Sequence, residues 1–209
     1  MFTGLVREIG VLRRASATGG LVIAAPQTAP HVQSGDSLAV DGICLTVTGA
    51  TRDLVCLDAA AETRRVTTLA SWRRGRRVHL EPALRLGQAL DGHLVLGHVD
   101  GVGRVTAVRR AGASWFMTVH CGRDLARWLL PKGSVAVDGV SLTVDEGPHR
   151  DAFTVNLVPH TLRQTTFAGA RAGRKVNLEM DMLVKAARAQ DATRPAVTVA
   201  SILARGWRA

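Results

Sequence analysis

Two pairs of small polar side chains carry the first chemical signal in this sequence. In VDGICLTV (40–47) Cys44 and Thr46 stand two residues apart, and in VDGVSLTV (137–144) Ser141 and Thr143 repeat the spacing. Residues two apart on an extended strand share a face. Each octet therefore shows two small polar groups on one side and apolar residues on the other, Leu45 and Val47 or Leu142 and Val144. Such a face is either an ordinary solvent-facing edge or the lining of a binding site. In the second case the hydroxyls would hydrogen-bond a ring or polarise a water, and the thiol would act as a weak nucleophile or donor. A second pair of segments, ETRRVTTL and HTLRQTTF, places Thr63 and Thr161 near the start of a short helical turn. Free backbone N–H groups there suit a heterocycle with several carbonyl and ring-nitrogen acceptors.

Other arrangements point away from metal and dinucleotide chemistry. His93 and His98 lie five apart, but no third or fourth ligand follows, so His93 reads as holding the interdomain turn by hydrogen bonds. The glycines of GVG (101–103) read as strand and turn glycines, because no helical pattern follows them. The three cysteines, Cys44, Cys56 and Cys121, have neither metal-type nor redox-type spacing and cannot all pair, which fits a reducing cytoplasm. Cys44 is either a half-buried packing residue or part of a site.

The elements that must position these residues come from a duplication. The octets are offset by 97 residues, SLAVDG (37–42) lies over SVAVDG (134–139), and at the same offset Gly4 would lie over Gly101. Further along the offset becomes 98, where residues 60–83 lie over residues 158–181 and match at Thr63 and Thr161, Gly75 and Gly173, Val78 and Val176, Glu81 and Glu179. Each copy holds short β-prone runs separated by turn residues every 8–12 positions, which predicts a small barrel or sandwich. The Asp-Gly of each octet predicts a tight turn. After residue 181 the composition changes to a helix-compatible stretch, interrupted at Pro195 and resuming an apolar period at Val199, Ile202 and Leu203.

Composition narrows the function further. With 209 residues and nearly half of them apolar, the chain can form one large domain or two of about 100 residues. No apolar run approaches the roughly 20 residues of a membrane span, and the N-terminus predicts no secretory signal. The net charge of +10 comes from 24 arginines and only 3 lysines. The arginine clusters are scattered through turns, and with no tyrosine and few other aromatics the chain offers little for stacking on single strands. They read as a solvated surface rather than a nucleic-acid footprint. Lys132, a rare lysine here, is either an ordinary turn residue or a specific one.

Five motifs in order, MFTGLVREIG, DGICLTV, DGHLVLGHVDGVG, KGSVAVDGVSLTV and VNLEMD, together resemble the riboflavin synthase α-chain family, in register over residues 1–181. The resemblance implies an all-β fold: two tandem six-stranded Greek-key β-barrels related by internal duplication, plus a C-terminal helix through which three chains associate. The implied boundaries are 1–96, 97–182 and 183–209. The implied reaction is dismutation of two 6,7-dimethyl-8-ribityllumazine molecules, in which four-carbon transfer gives riboflavin and 5-amino-6-(D-ribitylamino)uracil. It needs no metal and no other cofactor. The duplication then has a chemical reason, since two identical substrates need two similar pockets.

Carried over by position, the resemblance gives the N-terminal pocket Gly4, Leu5 and Val6, then Cys44, Leu45 and Thr46, then Asp58, Ala59, Ala60, Ala61, Glu62 and Thr63. The C-terminal pocket receives Lys132, then Ser141, Leu142 and Thr143, then Asn156, Leu157, Val158, Pro159, His160 and Thr161. Gly97, His98 and Val99 would reach the ligand of a neighbouring chain's barrel. Phe2, Thr3 and Asp181 would lie near the reaction centre. His98 is the natural general acid/base, because its ordinary pKa lies near operating pH. Ser141, Thr143 and Cys44 would bond the ring, polarise a water or act as nucleophile. His160, Arg64, Asp91 and Leu96 depart from the family's usual residues at their positions. The competing expectations are a non-catalytic lumazine- or flavin-binding relative, and a nucleic-acid-binding barrel.

Overall fold

A computed structural model describes residues 1–112 and 114–193; the expectations for 194–209, including the apolar period at Val199, Ile202 and Leu203, fall outside them. The first half runs β1 (Glu8–Ala15), β2 (Gly20–Ala24), β3 (Ser37–Val40), β4 (Ile43–Ala50), β5 (Leu54–Asp58), α1 (Ala61–Val66) and β6 (Arg77–Pro82). The second runs β7 (Gly101–Ala111), β8 (Ser114–His120), α2 (Arg123–Ala126), β9 (Ser134–Val137), β10 (Val140–His149), β11 (Ala152–Leu157), α3 (Pro159–Gln164) and β12 (Lys175–Met180), followed by α4 (Met182–Thr193). Each half closes into an antiparallel barrel. The strand orders β1-β2-β5-β4-β3-β6 and β7-β8-β11-β10-β9-β12 are the same Greek-key path. No helix among the described residues is long and apolar enough to cross a membrane.

Alternation along the strands fills the two cores. In β4, Ile43, Leu45 and Val47 are buried while Cys44 is half-buried and Thr46 exposed, and β10 repeats this with Val140, Leu142 and Val144 inside. A strand that keeps one face dry needs this period of two. After β5 and β11 the chain turns into α1 and α3, each followed by a 3-10 turn (68–71 and 166–169). Thr67 and Thr165 cap those turns, their hydroxyls accepting from the backbone N–H groups of Leu69 and Phe167.

The Asp-Gly pairs are the hinge between the halves. Val40 pairs with Ile43, and Val137 with Val140, leaving two-residue hairpin loops. Asp41 and Gly42 have φ of 45° and 77°, and Asp138 and Gly139 have φ of 44° and 76°; positive φ at both central residues is the geometry that suits a right-twisted hairpin. The two loops touch each other: a Cβ on Gly42 would lie 2.5 Å from the Gly139 backbone nitrogen. The repeated octet therefore packs on its own copy.

Around this contact the carboxylates of Asp41 and Asp138 are fully buried, each paired with an arginine, Arg76 at 2.8 Å and Arg174 at 2.9 Å. Two further side chains cross the axis. Asn177 donates from Nδ2 to the Asp41 carbonyl (2.9 Å) and its Oδ1 accepts the Thr68 N–H (2.8 Å). His79 occupies the matching position of the first half. Its Nδ1 lies 2.9 Å from the Asp138 carbonyl, and its Nε2 accepts the Thr166 N–H at 2.8 Å. The imidazole thus does with two ring nitrogens what the carboxamide does with its oxygen and nitrogen, and this pairing needs the proton on Nδ1.

Candidate active site

The N-terminal segment and the interbarrel linker build the two ends of the site by exchanging barrels. Phe2 and Val95 pair in both directions, with N–H···O distances of 2.7 and 3.1 Å. From that bridge the chain passes Thr3-Gly4 on one side and Leu96-Gly97 on the other. Glu81 accepts from Thr3 N–H (2.6 Å), Thr3 Oγ1 (2.7 Å) and Gly4 N–H (3.0 Å). Glu179 accepts from Leu96 N–H (2.6 Å) and Gly97 N–H (2.9 Å). Burial raises both carboxyl groups, and these hydrogen-bond donors offset only part of the rise.

Gly4 then accepts the Ser141 N–H at 2.8 Å, and Gly97 accepts the Cys44 N–H at 2.9 Å. Both glycines hold φ near +79° and +78° against the strand they meet. An added Cβ would stand 2.6 Å from the Cβ of Ser141 or of Cys44. Only glycine meets both conditions.

Two expectations are corrected by this exchange. Gly4 is equivalent to Gly97, not to Gly101, because the two make the same bonds to Glu81 and Glu179. Gly4, Leu5 and Val6 belong with the C-terminal barrel: they line a cleft of about 320 Å³ together with Ser141, His160 and Thr161. Gly97, just ahead of His98 and Val99, makes the matching contact on Cys44 of the N-terminal barrel. The physical cause is the Phe2–Val95 bridge, from which each segment continues to the barrel opposite the strand it will enter.

The remaining candidates fall into clear groups. Thr46 and Thr143 are exposed on the polar faces, as the alternation predicts, and Cys44 and Ser141 are half-buried beneath the crossing segments. Leu45, Leu142, Leu157 and Ala59 turn their side chains into the barrels, so only their backbone faces outward. Asp58 stands beside Thr46 in register, with Ala60, Ala61 and Glu62 exposed and Thr63 half-buried after it. On the other barrel Asn156 is followed by exposed Val158, Pro159 and His160. The Asn156 Oδ1 is buried with no partner among the described residues. The Glu62 carboxylate bonds Arg65 in two places, which holds its pKa below the ordinary range.

Three further candidates have other partners. Lys132 is not brought to the Ser141 cleft; its ammonium pairs with Asp145 at 2.6 Å. Phe2 is fully buried with Ala39, Val95 and Ala136, and Cys44 packs on that cluster, so its ring supports the site from below. Asp181 accepts the Leu183 N–H at 2.9 Å and so caps α4.

Sequence reasoning missed Arg7, Gln164 and Thr165 in the Ser141 cleft. The available signal was the spacing of His160, Thr161 and Gln164, which puts all three on one side of α3, with Thr165 following in extended backbone. A larger cleft of about 390 Å³, lined by Arg7, His31, Glu81 and Arg85 among others, contains neither octet.

With this geometry in place the comparisons are decisive. The lumazine-binding-domain model matches twice, over residues 3–83 and 96–181. A riboflavin synthase of Mycobacterium tuberculosis (strain ATCC 25618 / H37Rv) is 40% identical over 192 residues, covering 88% of this chain and 95% of that protein. The chain belongs to the riboflavin synthase family. The riboflavin synthase of Bacillus subtilis (strain 168) is 38% identical over 188 residues, 88% of this chain and 87% of the relative. Among solved structures, LumP complexed with riboflavin superposes with a TM-score of 0.78 at 26% identity, covering 86% of this chain and 99% of LumP. LumP complexed with 6,7-dimethyl-8-(1'-D-ribityl) lumazine superposes at 0.77 with 23% identity, a likeness of fold. The riboflavin synthase family match thus covers both barrels, and the two domain matches begin at the two crossing segments.

Proposed function

We propose that the chain is a riboflavin synthase that binds one 6,7-dimethyl-8-ribityllumazine at each octet face and transfers a four-carbon unit between the two. The products are riboflavin and 5-amino-6-(D-ribitylamino)uracil. The observation that carries this reading is the matched construction of the two ends. Cys44 under Gly97 and Ser141 under Gly4 each have a threonine two residues on and a helical turn alongside. A fold that builds the same ligand cradle twice suits a reaction between two copies of one molecule.

Residues 1–96 and 97–182 are the two lumazine-binding units, and 183–209 form the segment through which three chains associate in the cytoplasm. The reacting pair meets between the N-terminal barrel of one chain and the C-terminal barrel of another. Holding two reactants in register removes most of the entropic barrier to their encounter. His98, exposed beside the Cys44 face, is free to take or return a proton as the C7 methyl of one lumazine is deprotonated and the rings open. Ser141 and Thr143 hydrogen-bond the ligand of the C-terminal barrel, while Cys44 and Thr46 do so on the other. Thr63, Asn156 and Thr161 complete the two linings.

The test is incubation of the purified protein with ribityllumazine alone while riboflavin absorbance is followed. Appearance of riboflavin is expected. Binding without turnover would instead favour a non-catalytic lumazine-binding protein, the reading that the likeness to LumP keeps in view.

A further inference from the structure

The helical turns alongside the two octet faces differ at one position that the proposed reaction does not use. The offset of 98 residues that sets Thr63 over Thr161 also sets Arg64 over Leu162. Leu162 packs on the core of the C-terminal barrel. Arg64 is half-buried, and its Nη1 donates to the Ala17 carbonyl in the turn between β1 and β2. A cleft of about 200 Å³ opens there, lined by buried Leu21, Leu69 and Trp72 together with Arg64, Arg73 and Ser16. Packing alone does not call for an arginine at this position, since the other barrel closes it with a leucine.

Charge in the cleft is one-sided. Among the described residues no carboxylate lines it. Glu62, two residues before Arg64, is engaged with Arg65 instead, at 2.8 and 2.6 Å. Each guanidinium is steadied by backbone carbonyls, Arg64 by that of Ala17 and Arg73 by those of Ala70 and Trp72, at 3.4 and 2.9 Å. A guanidinium has five N–H donors, so both keep donors beyond those the carbonyls use. The fold gathers further charge at this end of the barrel. The Gly75 N–H donates to the Leu12 carbonyl at 2.8 Å, which sets exposed Arg13 and Arg14 of β1 beside exposed Arg74 and Arg77. Two preorganised guanidiniums in a positive field make a receptor for a doubly charged oxyanion.

We propose that this cleft is a phosphate site, separate from both octet faces, that takes inorganic phosphate or the phosphate head of a small ester between Arg64 and Arg73. A dianion balances the two guanidiniums, and their planar forks match its terminal oxygens. A bound phosphate would tie α1 to the turn between β1 and β2. Since α1 carries Thr63, occupancy would also stiffen one wall of the Cys44 face. The inference makes no use of lumazine binding, so it stands or falls apart from the proposed reaction.

The test is thermal unfolding of the full chain in rising sodium phosphate, set against sodium chloride at matched ionic strength. A site filled only in the folded state raises the melting temperature with phosphate beyond the chloride control. Arg64→Leu copies the residue of the C-terminal barrel, so it should fold without phosphate as wild type does and lose the phosphate effect. Isothermal titration should show phosphate affinity weakened roughly ten- to a hundredfold in Arg64→Leu and in Arg73→Gln, the loss of one charge-assisted partner. Ribose 5-phosphate run beside inorganic phosphate names the source: tighter binding of the ester assigns the site to a phosphorylated metabolite, tighter binding of the free ion to phosphate itself. Protection no greater than that of chloride would overturn the proposal, as would an affinity undiminished in both variants. An Arg64→Leu protein that melts early yet keeps wild-type phosphate affinity would reduce Arg64 to a strut and overturn it too. If Arg64→Leu does not fold, Arg73→Gln carries the comparison. Riboflavin formation in phosphate-free buffer judges the enzymatic reading separately.

Discussion

Replacing Gly97 by alanine puts the exchange of segments under direct strain. The residue holds φ of +78°, a region that costs an L-residue roughly 1–2 kcal/mol. The new Cβ would stand 2.6 Å from the Cys44 Cβ and 2.8 Å from its backbone nitrogen. Both atoms are fixed parts of β4, so the crossing segment must lift. Lifting it stretches the 2.9 Å bond from Cys44 N–H and the 2.9 Å bond to Glu179, each contributing about 1 kcal/mol. The combined cost is about 3–4 kcal/mol, which in a chain of this size lowers the melting temperature on the order of 10 °C. His98 and Val99 move with the segment, so the loss should be confined to the N-terminal pocket. Differential scanning calorimetry gives the first number, and titration with ribityllumazine is expected to show one surviving site per chain and no riboflavin formation. A variant that melts within about 2 °C of wild type and still binds at both pockets would refute the reasoning.

Further outcomes follow from the same structure. His79→Asn should leave the urea midpoint nearly unchanged, because Asn177 already performs that role on the other half. His79→Leu should cost roughly 2–5 kcal/mol by leaving the Asp138 carbonyl and Thr166 N–H unpaired in the interior. Cys121, whose thiol burial and the Asp151 charge push up to about 11, should alkylate last of the three cysteines at pH 8, as peptide mapping after timed labelling would show. Burial raises the folded-state pKa of Glu81 above its unfolded value. Its contribution to stability is therefore full below the unfolded pKa and lost as pH rises through the folded one. Urea midpoints between pH 5 and pH 7.5 should thus fall less in Glu81→Gln than in wild type.

Much of this architecture could be read in the sequence, and the failures have specific causes. The octets and their Asp-Gly turns are local, so their spacing gave a duplicated β unit, a barrel or sandwich, with a polar strand face and a tight turn in each, and the family resemblance supplied the two closed barrels. The helical turns after β5 and β11 were likewise legible, since Thr63 and Thr161 recur at one offset. The crossing segments were not. Their pairing through Phe2 and Val95 is a contact between stretches more than ninety residues apart, and a chance glycine match at Gly101 hid the true partner of Gly4. A better signal was present in the glycines six apart, Gly4 with Gly10 and Gly97 with Gly103. The cross-axis brace was hidden differently: His79 and Asn177 differ in type, and only their hydrogen bonds reveal that each supplies one donor and one acceptor.

The central claim is that two copies of one substrate, held in two copies of one fold, react with each other. It is tested most directly by giving the protein an equal mixture of unlabelled ribityllumazine and ribityllumazine carrying carbon-13 throughout its transferable four-carbon unit, then weighing the riboflavin by mass spectrometry. The account predicts three isotopologues, with the half-labelled form the most abundant, because donor and acceptor are drawn independently. Bound lumazine with no riboflavin, or riboflavin lacking the half-labelled form, would contradict it.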